Sequence, residues 1–120
     1  MQIDYTLDTL LDLDGLTFHR DDGLWWKIQV KRINPTEFIP HGISYSLTLH
    51  NRYNTRIMGY DNSHAVKPSG KFKFAGQRLT YDHKHRHSSD KGIPYEFKNA
   101  QQLMDDFFAE IDRIVEEQKK

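Results

Sequence analysis

The most regular alternation in the chain runs through residues 43–50. Ile43, Tyr45, Leu47 and Leu49 fall on one side, and Ser44, Ser46, Thr48 and His50 fall on the other. A period of two is the pleat of a strand that buries one face and keeps the other polar. The same period recurs over residues 24–33, where Trp26, Ile28 and Val30 alternate with Lys27, Gln29 and Lys31. Residues 16–20 predict a shorter strand before it. Asp21-Asp22-Gly23 between them is a turn signal, because glycine adopts positive φ freely. These two strands make a first hairpin. A polar turn over 51–55 leads into a returning strand over 56–60. Lys67-Pro68-Ser69-Gly70 reads as a loop, Lys71-Phe72-Lys73-Phe74 as a short strand, and residues 93–97 as the last strand.

The period then changes. Leu103, Met104, Phe107, Phe108, Ile111, Ile114 and Val115 form one broad apolar stripe over residues 99–117, the mark of an amphipathic helix. Asn99 is a good N-cap, and Gln102 is spaced to complete a capping box with it. Near the start, Leu7, Leu10 and Leu11 predict a short helical segment that Asp14-Gly15 ends. Residues 34–42, with Pro35, Pro40 and Gly42, read as a loop. The pattern predicts an α+β fold: a single antiparallel β-sheet, a long C-terminal amphipathic helix packed on one face, and a short N-terminal helical segment. With 120 residues and no linker or repeat, residues 1–120 are expected to form one domain.

Composition changes this picture in two places. Only 37% of residues are hydrophobic, so the core must draw on the two Trp, six Tyr and seven Phe. The chain has no cysteine, which excludes disulfides, zinc–thiolate sites and thiol nucleophiles. The first residues lack the basic start and apolar stretch of a signal peptide, and no apolar run approaches the ~20 residues of a membrane helix. A cytoplasmic protein without membrane association is the expectation.

Zero net charge hides a segregation. Residues 1–24 carry six Asp and one Arg, a net of −5. Residues 25–98 carry thirteen Lys or Arg against five acids, a net of +8, and six of the seven histidines. Residues 99–120 carry six acids and three bases, a net of −3. A basic, histidine-rich middle suits a local anionic ligand. The plainer alternative is that the acidic ends pack beside it and neutralise it.

Three clusters in that middle carry candidate chemistry. In Tyr81-Asp82-His83-Lys84-His85-Arg86-His87, an extended backbone puts His83, His85 and His87 on one face and Asp82, Lys84 and Arg86 on the other. Such imidazoles serve as metal ligands, as general acid and base near neutral pH, or as a solvated loop. The adjacent cations favour a phosphate over a divalent metal, so no metal or other cofactor is expected. Tyr60-Asp61-Asn62-Ser63-His64 follows a predicted strand. Asp61 there is placed to fix a histidine tautomer, unless it and Asn62 only form an Asx-turn. In His50-Asn51-Arg52-Tyr53-Asn54-Thr55-Arg56, Arg52 and Arg56 offer forked donors for phosphate and Tyr53 a ring for a base. Asn51, Asn54 and Thr55 read as ordinary turn residues. Trp26 shares the phase of Ile28 and Val30 and belongs in the core; Trp25 is either a surface platform or covered by the N-terminal segment. No P-loop, Gly-rich dinucleotide motif or serine-triad context is present.

Several runs together resemble the TumE family of toxin–antitoxin proteins. They are His41-Gly42-Ile43-Ser44-Tyr45-Ser46-Leu47-Thr48-Leu49-His50, Arg56-Ile57-Met58-Gly59-Tyr60-Asp61-Asn62-Ser63-His64-Ala65 and Tyr81-Asp82-His83-Lys84-His85-Arg86, with Leu10-Leu11-Asp12-Leu13-Asp14-Gly15 and Asp90-Lys91-Gly92-Ile93-Pro94-Tyr95-Glu96-Phe97. The resemblance covers most of the chain, and Asp61, Asn62, His64, Tyr81, Asp82, His83 and His85 match its recognisable motifs. It implies the toxin half of a prokaryotic two-gene module, whose partner is a small helix-turn-helix antitoxin. Many toxins of this size attack RNA and so block translation.

Together these readings lead to a metal-independent endoribonuclease. His83 and His85, with His64 as an alternative, are expected as acid and base. Asp61 orients, Tyr81 positions, and Arg52, Arg56, Lys84 and Arg86 hold phosphate. The alternatives are a non-enzymatic nucleic-acid- or ribosome-binding module, or a nucleotidyl-transferring toxin. The last needs paired carboxylates for Mg²⁺, and the middle segment offers no convincing pair. The acidic ends are read as a docking surface for the antitoxin, or for a second copy in a homodimer.

Overall fold

The structure, a computed structural model, describes residues 4–37, 39–62, 83–85 and 93–119. The expected loop at 67–70 and strand at 71–74 lie outside the described residues. The elements run α1 (Leu7–Asp12), β1 (Thr17–His19), β2 (Trp25–Arg32), β3 (Ile43–His50), β4 (Arg56–Asp61), β5 (His83–His85), β6 (Ile93–Pro94) and α2 (Ala100–Gln118). The strands form one six-stranded sheet in the order β1-β2-β3-β4-β5-β6, every neighbour antiparallel. The fold is α+β, as the periodicity predicts.

The helix α2 lies on the face that carries Trp26, Ile28, Leu47, Leu49, Met58 and Tyr60, and buries Leu103, Phe107 and Ile111 against it. Phe107 is fully buried. It meets the rings of Trp26 and Tyr60 edge-on, each with centroids 6.3 Å apart. Removing a ring of this size from water contributes about 1.5–3 kcal/mol. Leu10 of α1 is also fully buried in this core, so the N-terminal segment is part of the fold.

Two side chains extend the ladder where backbone runs out. Asp14 Oδ1 accepts from Val30 N–H at 2.9 Å, beside the Gly15 N–H to Ile28 carbonyl bond. Asn62 Oδ1 accepts from Tyr45 N–H at 2.9 Å, while its Nδ2 donates to the Ile43 carbonyl at 2.7 Å. Thus Asn62, 3% exposed, continues β4 across β3 with its amide.

Strand β6 is shorter than the expected 93–97. Tyr95 and Phe97 instead turn their rings to Tyr60 and to His41 and Tyr45, and Tyr95 donates its hydroxyl to Asp106 of α2. At the start of α2, Asn99 caps as expected by accepting from Gln102 N–H at 2.7 Å. The Gln102 side chain does not return to Asn99, however; it donates to Asp106. The free amides at this helix end are met from the other end of the chain. Asp4 Oδ2 accepts from Ala100 N–H at 2.8 Å, and Thr6 Oγ1 accepts from Gln101 N–H at 2.9 Å. No helix among the described residues is long and apolar enough to cross a membrane.

Candidate functional site

The face of the sheet turned away from α2 is a grid of side chains set by strand register. One row crosses four strands: His19, Trp25, His50 and Arg56 are successive partners. The next row holds Thr17, Lys27, Thr48, Gly59 and His85. A third runs from Gln29 through Ser46 and Asp61 to His83. Alternation puts the side chains of the first two rows, and those of Gln29, Ser46 and Asp61 in the third, on one face. The register shift between Leu49 and His50, a β-bulge, is what brings Arg56 opposite His50 and so onto this face.

His85 and Asp61 pair diagonally across β4 and β5, with Nε2 3.2 Å from Oδ2. Both are buried, His85 to 3% exposure and Asp61 to 7%. Their neighbour in the grid is Gly59, in a strand paired on both sides. A Cβ there would come within 3.2 Å of Thr48 Cγ2 and 3.5 Å of Arg56 Cδ. The crowding would be with β3, since the Leu47 carbonyl oxygen would also lie 3.3 Å away, while the Arg56 stem passes beside Gly59 at ordinary contact distance.

The first row is a column of rings. His19 stacks on Trp25 with centroids 5.3 Å apart and planes 15° apart; Trp25 stacks on His50 at 4.3 Å and 15°. Trp25 Nε1 donates to the Asn51 carbonyl at 3.2 Å. Lys27 Nζ sits 6.0 Å from the indole centroid. His50 Nε2 shares a 2.8 Å hydrogen bond with Thr48 Oγ1. Burial holds the His50 imidazole below its usual pKa. The charges of Lys27 and Arg56 act in the same direction, and the Asn54 backbone offsets part of the effect. The site therefore disfavours the charged form of His50.

The expected site residues divide as follows. Asp61, His85 and Arg56 come together on the grid face, and the backbone of His83 pairs with Asp61 there. His64, Tyr81 and Arg86 lie outside the described residues. Lys84 faces the other way: its Nζ lies 3.2 Å from Glu110 of α2 and 5.5 Å from the Tyr60 ring centroid, with little solvent exposure. An ammonium committed to a carboxylate on the helix side does not share a phosphate with His85. Arg52 sits in the turn between β3 and β4, its Nη2 3.5 Å from the Asp22 carbonyl over the β1–β2 turn. Asn51 organises that β3–β4 turn, its Oδ1 accepting from Tyr53 and Thr55 N–H, and Asn54 takes φ 63°. Asn62 serves the ladder. Trp25 is covered by histidines, not by the N-terminal segment.

Sequence reasoning left out His19, Lys27, Thr48 and His50 as site members. The period-two pattern already placed Thr48 and His50 on the polar face of β3. What it lacked was the register that sets them beside Trp25, Arg56 and His85.

A family model described as Toxin TumE matches residues 8–115. No curated protein and no solved structure matches the chain. The matched span takes in both clusters of the grid, the strand that ends at Asp61 and the short one that carries His83 and His85, and the chain belongs to the TumE toxin family.

Proposed function

We propose that this toxin is a metal-independent endoribonuclease that blocks translation by cutting RNA, and that a helix-turn-helix antitoxin restrains it. The observation that carries the reading is the buried His85–Asp61 pair, with the Arg56 stem beside Gly59, the ladder partner of His85. Cleavage of this kind needs a base for the 2′-hydroxyl proton, an acid for the leaving 5′-oxygen, and a cation near the charged phosphorane. The 2′-oxygen bonds to phosphorus as the P–O5′ bond breaks, which leaves a 2′,3′-cyclic phosphate and a 5′-hydroxyl. Asp61 at Nε2 orients the His85 imidazole for this work. His83 is the second proton-transfer group, His64 its alternative, and Tyr81 a positioning group. Arg56 meets the phosphate charge, and Arg86 and Arg52 bind the strand further along.

The test is incubation of total RNA with the protein in EDTA, beside His85→Ala, His83→Ala and Asp61→Asn. Wild type is expected to cut. Loss of an acid or base should slow cleavage by about 10²–10⁴-fold. Asp61→Asn should slow it as well, because an amide no longer fixes the charge and tautomer of its histidine. Full activity in all three variants would sink the assignment, and cutting only with an added divalent ion would revive a metal-dependent route.

One observation favours a second reading. His85 and His50 are both buried, whereas Lys31, Arg52 and Tyr53 are exposed. A module that only holds RNA or a ribosomal surface would use the exposed cations and ring. Its binding would weaken steeply with salt, and no RNA would be cut.

A further inference from the structure

We infer that His19 is the stacking platform for one unpaired nucleobase, at the open end of the ring column; this rests on the RNA reading above. In the column His19–Trp25–His50, the indole has an imidazole on each side, at 5.3 and 4.3 Å. Neither face of Trp25 is left for a ligand, and His50 is buried. His19 differs. It is exposed and stands on β1, the edge strand among the described residues, where the row ends. Rings on neighbouring strands repeat at the strand spacing, about 4.7–4.9 Å, within the roughly 4.5–7 Å between centroids of offset-stacked rings. A base laid against His19 adds the next ring in the series.

Space for such an occupant lies beside His19, and the cations lie further along the row. A depression of about 360 Å³ opens beside His19, lined by Phe18, His19, Arg20, Asp21 and Asp22. The strand cations on this face are Lys27, Lys31 and Arg56, and its strand carboxylate, Asp61, is already paired with His85. Arg56 ends the same row, and Lys27 stands beside its middle. A strand lying along the row has its base at the sheet edge and its phosphates toward these cations. The base must be unpaired, because duplex stacking covers both faces of a paired one.

The measurement is binding of short fluorescent 2′-O-methyl oligonucleotides, which lack the attacking hydroxyl and stay whole. They are offered single-stranded or annealed to their complement, to wild type, His19→Ala and His19→Phe. The wild type is expected to prefer the single strand. His19→Ala should weaken single-strand binding about 5- to 150-fold, the range for loss of one stacked base. His19→Phe should keep most of it, since the ring remains. RNA cutting by wild type, combined with unchanged single-strand affinity in His19→Ala, overturns this inference and leaves the ribonuclease standing. Equal affinity for duplex and single strand overturns it as well. If wild type neither binds nor cuts RNA, the ribonuclease reading itself fails.

Discussion

His50 shows how far its neighbours on a sheet face set a side chain's chemistry. The indole of Trp25 covers one side of the ring, Thr48 holds Nε2, and the cations of Lys27 and Arg56 lie near. Burial and the two cations oppose a positive charge and the Asn54 backbone offsets only part of this, so the folded pKa lies below the ordinary value of about 6.5. The sign for stability follows. Above pH 6.5 the ring is neutral in both folded and unfolded chains. As the pH falls below that value, the unfolded chain takes up a proton first, so stability declines until the folded ring also protonates. Urea unfolding at a series of pH values between 7.5 and 5 should show this decline in wild type. A shallower decline is expected in His50→Gln, which keeps a polar side chain but cannot titrate. Equal slopes would mean that His50 is not the group responsible.

Among the elements, those read correctly from the chain are those whose pattern is local. β3 spans the residues its alternation predicts, and α2 begins after the expected Asn99 cap. A period of two or 3.6 is fixed by neighbours a few positions away, so it is legible without the fold. The links that failed are long-range. The capping box predicted for Gln102 is replaced by Asp4 and Thr6, residues more than ninety positions away. Nothing near Asn99 announces them. Likewise Lys84 was assigned to phosphate by its neighbours in sequence, while the helix that claims it through Glu110 arrives from elsewhere. The grid rows were half legible: each strand's polar face was visible, but not the register between strands.

The Asp4 cap has a measurable consequence at this scale. Burial raises the Asp4 carboxyl's pKa, but hydrogen bonds from the Thr6 hydroxyl and from the Ala100 and Thr6 amides outweigh it, so the group is held below its usual value of 3.8. Its contribution is present above that value and is lost as the pH falls through the lower folded one. Asp4→Ala should destabilise the protein by about 0.5–2 kcal/mol at neutral pH, the range for loss of a helix cap. The difference from wild type should shrink in strong acid. Chemical denaturation at pH 7 and at pH 3 checks both statements.

At the scale of the whole molecule, the sheet has two unlike faces: one buried under α2, the other a grid of imidazoles, cations and hydroxyls. The helices α1 and α2, which belong to the acidic ends of the chain, pack together. If these helices present the docking surface for the antitoxin, reversing their exposed charges should weaken the complex. Asp12 and Asp112 are exposed. Asp12→Lys with Asp112→Lys is expected to slow association more than it speeds dissociation, and the effect should fade in high salt. Binding kinetics against the co-purified antitoxin measure this, and unchanged rates would place the antitoxin elsewhere. Point changes are the suitable probe. Deleting residues 1–15 would remove buried Leu10 and the cap on α2, and so unfold the protein instead of testing a surface.

The strictly sequential strand order matters for how such a protein is made. Each described strand pairs with the next described one along the chain, so the sheet can assemble piece by piece as the ribosome delivers it. Its closing step cannot. The apolar face waits for Phe107, and the clasp from Asp4 to Ala100 joins residues ninety-six positions apart. A chain released before α2 is complete has a bare hydrophobic face and an open clasp, fit for a protease or an aggregate. Poison of this design is armed only by its last turns of helix, and the cell that synthesises it is spared the half-made product.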